Sequence, residues 1–279
     1  MTYFEKGVDG RCWPAGVEVA AVMKLFPSRR FRRLLLAGVA ALSLAACASP
    51  RSAGTHAPDL SALSPTDRQS TLSELAARYK SNPGDKNAAI YYAAALRSAG
   101  QAEQSVAVIE TGMTANKGDL DLRIAYAKAL AAAGRFGQAL TVIDGAIRPD
   151  APDWNALSVK GAILDQTGHN AEARAAYTQA LTIAPTEASL MANLGLSYAM
   201  TNELDAAESH LRRAVGMRGA NSQVRQNLAL VVGLQGRFDD ARALFAAELP
   251  PDRVEANMAY IRSMLTQQNR WKDIQGSEG

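Results

Sequence analysis

The chain has 279 residues, of which 48% are hydrophobic but only 6% aromatic, with much of the apolar content in alanine. Alanine favours helices and lets backbones approach closely, so this composition suits many thin, closely stacked helices better than a thick sheet sandwich. The formal charge of +3 is uneven: setting aside residues 1–46, with seven Lys/Arg and three acids, leaves 23 basic and 24 acidic residues. A nearly neutral body lacks the basic footprint that nucleic-acid binding needs and argues against such a partner.

The first predicted element is a leader over 1–46. Read from Met23, a basic stretch ends in Arg29-Arg30-Phe31-Arg32-Arg33, followed by the apolar run Leu34–Leu44 and then Ala45-Ala46-Cys47. This order of basic, apolar and small residues is that of a secretory signal. Eleven residues of helix span about 16 Å, roughly half the hydrocarbon core, so the run is too short for a membrane-spanning helix. Residues 1–22, with their acids and Trp13-Pro14, do not fit a leader, and Met23 is the expected start. Cys12 and Cys47 are the two cysteines, so no disulfide is expected in the rest of the chain.

Leu44-Ala45-Ala46-Cys47 resembles a bacterial lipobox. That resemblance implies cleavage after Ala46 and lipidation of Cys47, which would tie the chain to a membrane through several acyl chains. The alternative is an ordinary secreted protein with a chance cysteine. Ala48-Ser49 after the cysteine, rather than aspartate, favours the periplasmic face of the outer membrane by analogy with Gram-negative sorting. Residues 47–65, rich in Ser, Pro, Ala and Gly, read as a flexible tether.

Beyond the tether, Thr66–Ser81 reads as a lone helix and 66–85 as a degenerate half repeat. A period of 34 residues follows. Gly100, Gly134, Gly168, Asn202 and Gly236 recur at that spacing, each where a residue tolerating positive φ would end one helix before the next begins. Small residues recur at position 8 (Ala93, Ala127, Gly161, Gly195, Ala229) and position 20 (Ser105, Ala139, Ala173, Ala207, Ala241). Bulky ones recur at position 24 (Ile109, Ile143, Tyr177, Leu211, Phe245).

This pattern resembles the tetratricopeptide repeat. The best match is 154–187, with Leu157, Gly161, Leu164, Gly168, Ala173, Tyr177, Ala180 and Pro185 in register. Lys117, Ala151 and Gly219 depart from the proline at position 32, and Ala102 and Asn170 are weak at 17. The resemblance implies five units, 86–119, 120–153, 154–187, 188–221 and 222–255, in an all-α, right-handed superhelical solenoid. The bulky residue at 24 is expected to fill the gap toward the next unit. Residues 256–279 would be a capping helix and tail, with Glu255–Leu265 helical and Asn269-Arg270-Trp271 echoing the Gly-Arg-Phe turns.

No catalytic or metal motif emerges. His56, His169 and His210 share no ligand spacing, HExxH and CxxC are lacking, and the glycines are accounted for by turns and packing. The expectation is a protein without enzymatic activity, cofactor or metal. The candidate site is the concave groove lined by first-helix positions 2, 5, 6, 9, 12 and 13. Asn193 and Asn227 share position 6, where an amide can both donate to and accept from a peptide backbone. Leu196, Met200, Gln226, Leu230 and Leu234 surround them; the apolar members either line the groove or pack against the capping helix. The Lys/Asn/Lys/Arg clamp for chaperone carboxy-termini is not in register.

The lipobox, tether and repeats, together with Leu75-Ala76-Ala77-Arg78-Tyr79 and Asn82-Pro83-Gly84-Asp85, resemble the TadD family of tight-adherence (Flp) pilus lipoproteins. The resemblance implies an outer-membrane accessory scaffold that binds protein partners, the secretin channel among them. An adaptor for type IV pilus secretins or for peptidoglycan hydrolases shares the same architecture and stays open.

Overall fold

The computed structural model describes residues 65–277, with side chains over 67–267; the leader, Met23, Cys47 and the tether lie outside the described residues. Twelve helices and no strand occur among the described residues. A single helix, α1 (Pro65–Ser81), is followed by five antiparallel pairs. These are α2 (Lys86–Ser98) with α3 (Ala102–Ala115), α4 (Leu120–Ala132) with α5 (Phe136–Asp144), and α6 (Trp154–Thr167) with α7 (Asn170–Ile183). The last two are α8 (Ala188–Met200) with α9 (Leu204–Val215), and α10 (Ser222–Leu234) with α11 (Phe238–Ala246). α12 (Pro251–Ser277) closes the stack.

Each pair's first helix starts on a side-chain cap. Asp85, Asp119, Asp153, Glu187 and Asn221 accept from backbone N–H groups two or three residues on, and they too recur every 34 residues. A carboxylate or amide there satisfies donors that the first turn leaves unpaired and complements the positive end of the helix. The second helices start without such caps, because the preceding turn satisfies itself. His169 N–H bonds back to Leu164 O at 2.9 Å, and Glu203 N–H to Tyr198 O at 3.0 Å. That six-to-one closure needs a left-handed residue, supplied by Gly168 at φ 90° and by Asn202 at φ 64°. Asparagine tolerates the region through its short polar side chain.

The two helices of a unit meet through one small and one large residue. A β-carbon on Gly161 would lie 2.6 Å from the Tyr177 ring, and one on Gly195 2.9 Å from Leu211. Where position 8 is alanine its partner is Ile109, Ile143 or Phe245, all 0–2% exposed. The residue at 24 therefore covers its own unit's first helix and, as expected, also fills the gap to the next, where Ile109 clusters with Leu122, Ile143 with Ala156 and Val159, and Leu211 with Val224 and Leu228. Tyr177 likewise joins a cluster with Leu194 of the following unit.

First helices touch the first helices of neighbouring units, while second helices do not pack on one another to a comparable extent. The first-helix side is thus the inner side of the curve. α1 buries the stripe Leu72 and Tyr79 against α2 and turns a polar face outward. At the other end, Val254, Met258, Ile261 and Met264 of α12 join the core of α8 to α11. α12 does not turn at Asn269 as expected. It runs through to Ser277, since nothing between Thr266 and Ile274 is glycine or proline.

Charged side chains bridge neighbouring units along the edge formed by the turns. Arg135 pairs with Glu103 at 3.7 Å, Arg174 with Glu203 at 2.8 Å and Arg237 with Glu208 at 2.9 Å. In the first and third of these pairs the later unit supplies the cation; in the second it supplies the anion.

Candidate peptide groove

The inner face is built from α2, α4, α6, α8, α10 and α12, and its chemistry changes along the stack. Early units present Arg97, Asp121 and Lys128 at groove positions. Farther on, on α8 and α10, uncharged side chains take over, amide, small and apolar.

Asn193 on α8 and Asn227 on α10 fall one unit apart on this face, as their shared position 6 requires. They are only 7% and 6% exposed. Asn193 Nδ2 donates to Ser158 Oγ of α6 at 3.2 Å. Asn227 Oδ1 accepts from Gln223 Nε2 at 3.0 Å. Both amides thus have partners within the protein, and an incoming backbone would have to exchange with them. Such exchange is feasible because a bond replaced by an equivalent one costs little net free energy.

Of the apolar strip, Leu230 and Leu234 share the core cluster with Met258, Ile261 and Met264, so they pack with the capping helix instead of lying open. Met200 is 5% exposed. Leu196 remains half-buried, as does Gln226, whose Nε2 donates to Ser222 Oγ at 3.0 Å. The groove is consequently narrower and less apolar at its surface than the sequence pattern implied.

Three groups that sequence reasoning passed over stand out. Asp165 of α6 is 5% exposed, and its carboxylate accepts from Ser197 Oγ at 2.8 Å, Asn170 Nδ2 at 2.7 Å and Tyr177 Oη at 3.1 Å. This buried carboxylate ties three helices of two units together. The sequence clue was an acid at groove position 12, at the end of the apolar run Gly161–Leu164. Asn257 of α12 is 2% exposed, and its Nδ2 has no hydrogen-bond partner. Tyr260, one turn on, has its phenol pushed up to about 12 by burial.

A third arrangement crosses the junction between the third and fourth units. The Arg174 guanidinium lies 4.0 Å over the Tyr198 ring while donating to Ser197 O, Thr201 and Glu203. The other face of Tyr198 stacks on His210 at 5.1 Å and 6°. Burial, and then Arg213, hold His210 below the usual histidine range. His169 sits in the turn, its Nδ1 3.0 Å from Thr167 Oγ1.

Among the described residues no three His, Cys, Asp or Glu side chains gather as metal ligands, and no helix is long and apolar enough to cross a membrane. An open pocket of about 510 Å³ lies at the last turn, between Leu234, Phe238, Arg262 and Leu265. On α8 and α10 the chemistry of the inner face is hydrogen bonding and apolar contact, with the amides Asn193 and Asn227 as its recurring element.

Comparison with known proteins agrees with this architecture. Models of the tetratricopeptide repeat match residues 96–163 and, in two overlapping copies, 164–223 and 192–256. No curated protein matches. Among solved structures, a thermophilic repeat protein of Thermus thermophilus, TTC0263, is similar over 64% of this chain and 97% of its own, at 21% identity and a TM-score of 0.54. A tetratricopeptide repeat protein from Parabacteroides merdae is similar over 74% and 83%, at 14% identity and a TM-score of 0.51. Human IFIT1 is similar over 77% of this chain and 53% of its own, at 14% identity and a TM-score of 0.54. At these identities the likeness is one of fold.

Proposed function

We propose, from the premise that the chain belongs to the tetratricopeptide-repeat family, that its inner face holds an extended segment of a partner protein and that the molecule is a scaffold without catalysis of its own. The observation that carries this reading is the placement of Asn193 and Asn227, one unit apart on adjacent first helices. Extended chain presents a carbonyl and an N–H at every residue, and amides that donate and accept can meet both.

The finer reading is a lipid-anchored accessory of pilus assembly at the periplasmic face of the outer membrane, with the secretin as its partner. It is supported by Leu44-Ala45-Ala46-Cys47, by the tether after it, and by the resemblance of the segments around Leu75–Tyr79 and Asn82–Asp85 to the TadD family. Cross-linking in intact envelopes, then purification from detergent with wild-type and Cys47→Ser chains compared, tests this directly. Recovery of a secretin with the wild-type chain, and its loss with the soluble variant, is the expected outcome. Recovery of peptidoglycan hydrolases instead would replace the pilus assignment with the adaptor one.

The groove is tested separately. Asn193→Ala with Asn227→Ala should weaken the captured partner by a few-fold to about a hundredfold, on the scale of about 1 kcal/mol per hydrogen bond. An unchanged titration would discard this face as the binding surface.

A further inference from the structure

We infer that α8, α10 and α12 form a subsite for an uncharged stretch of the partner segment, and that they reject charged residues by desolvation; the inference rests on the groove reading above. No groove position of α8 or α10 carries a charged side chain, in contrast to Arg97, Asp121 and Lys128 in the first two units. By the same register, Asn257 and Tyr260 continue positions 2 and 5 onto α12, and they too are uncharged. The nearest cation on α10, Arg225, is spent on Glu248 at 2.5 Å and on Ala220 O at 3.0 Å. The acid beside α8, Asp165, is already engaged by three donors from within the protein.

Two further observations describe the medium a ligand would meet. Burial alone raises the Tyr260 phenol, which marks that end of the face as poorly solvated. Asn257, at groove position 2 of α12 and 2% exposed, keeps an unspent amide donor. Buried donors are almost always paired, so an unpaired one is a standing cost that an acceptor from outside would relieve. A backbone carbonyl supplies such an acceptor without adding charge. A carboxylate or ammonium would have to leave water for groove positions on α8, α10 and α12 that carry no counter-charge, with Arg262 standing beside Leu234 at the last turn, beyond those positions. This disfavours charged segments more strongly than it favours neutral ones.

The test is selection from a random-peptide display library on the purified full chain, followed by titration of the selected peptides. The expected peptides are uncharged over their central residues. Their affinity should change by less than about twofold between low and high salt. A central Asp or Lys should weaken them more than about tenfold. Asn257→Leu should raise the unfolding midpoint while weakening the same peptides, a split that a merely structural asparagine would not produce; Asn257→Ala checks that lost binding is not due to the bulk of leucine. Charged peptides that depend on Asn193 and Asn227 would overturn the subsite and leave the groove standing. Peptides indifferent to those two asparagines, or no enrichment at all, would overturn both.

Discussion

Tyr177 lies on Gly161 so closely that a β-carbon at 161 would stand 2.6 Å from its ring carbon Cε1 and 2.8 Å from Cζ. The ring is 2% exposed and its hydroxyl is tethered to Asp165 at 3.1 Å, so it has little freedom to retreat. Gly161→Ala should therefore destabilise the protein by about 1–3 kcal/mol, although alanine is the better helix former by about 1 kcal/mol. Urea unfolding measures this. With Tyr177→Leu added, the cost of Gly161→Ala should shrink; if it does not, the contact is not the cause.

The caps allow a prediction of similar size. Asp153 accepts from both Asn155 and Ala156 N–H at 3.0 Å while itself 7% exposed. Asp153→Ala should cost about 1–2 kcal/mol and Asp153→Asn much less. Amide exchange at the start of α6 should rise in the alanine variant before global stability is lost, and uniform exchange across the stack would contradict a local cap.

Two groups give stability a pH dependence with defined signs. His210 is held below its ordinary value of 6.5 by burial and by Arg213, so the unfolded chain takes up the proton first. Stability is then complete above that value and falls as the pH drops through 6.5 toward the lower folded value. Glu248 is held below its ordinary 4.5 chiefly by the Arg225 hydrogen bond, so its contribution is present above 4.5 and lost as pH falls further. Thermal melts should show His210→Gln flattening the upper part of the acid limb and Glu248→Gln the lower. Parallel curves for all three proteins would refute the assignment.

At the far end, Ile261 is fully buried and its Cδ1 would lie 2.7 Å from a β-carbon on Gly233. Ile261→Ala should cost about 2–4 kcal/mol through the cavity it opens. Because Leu230 and Leu234 share that cluster, the same variant should loosen the groove end of α10, which exchange of the Leu230 amide reports.

Much of this architecture was legible because it rests on local rules repeated at a fixed interval. A glycine or asparagine that can take positive φ marks each turn, and Gly161 facing Tyr177 in register announces the helix pair. The caps at Asp85, Asp119, Asp153, Glu187 and Asn221 were equally periodic and could have been read the same way. The groove was legible only in outline. Position 6 placed Asn193 and Asn227 correctly, but whether an amide is free depends on what the neighbouring helix offers, here Ser158, and on a neighbour along the same helix, Gln223. The Asp165 cluster needs three helices at once, and no spacing rule within one helix reports it. Asn269 echoes the earlier turns in sequence as Asn202 does, yet α12 runs through it to Ser277, so an asparagine alone does not decide whether a helix turns.

The alternating polarity of the turn-edge ion pairs makes the order of the modules matter. Excising 188–221 whole would bring Arg237 of the last unit to the position Glu203 now holds, opposite Arg174, and set cation against cation. Inserting a second copy would face Glu203 with the Glu208 of its twin. Clean duplication or deletion of this module thus meets an electrostatic mismatch at the new seam, and a viable change of length there would need a compensating charge reversal at the same event.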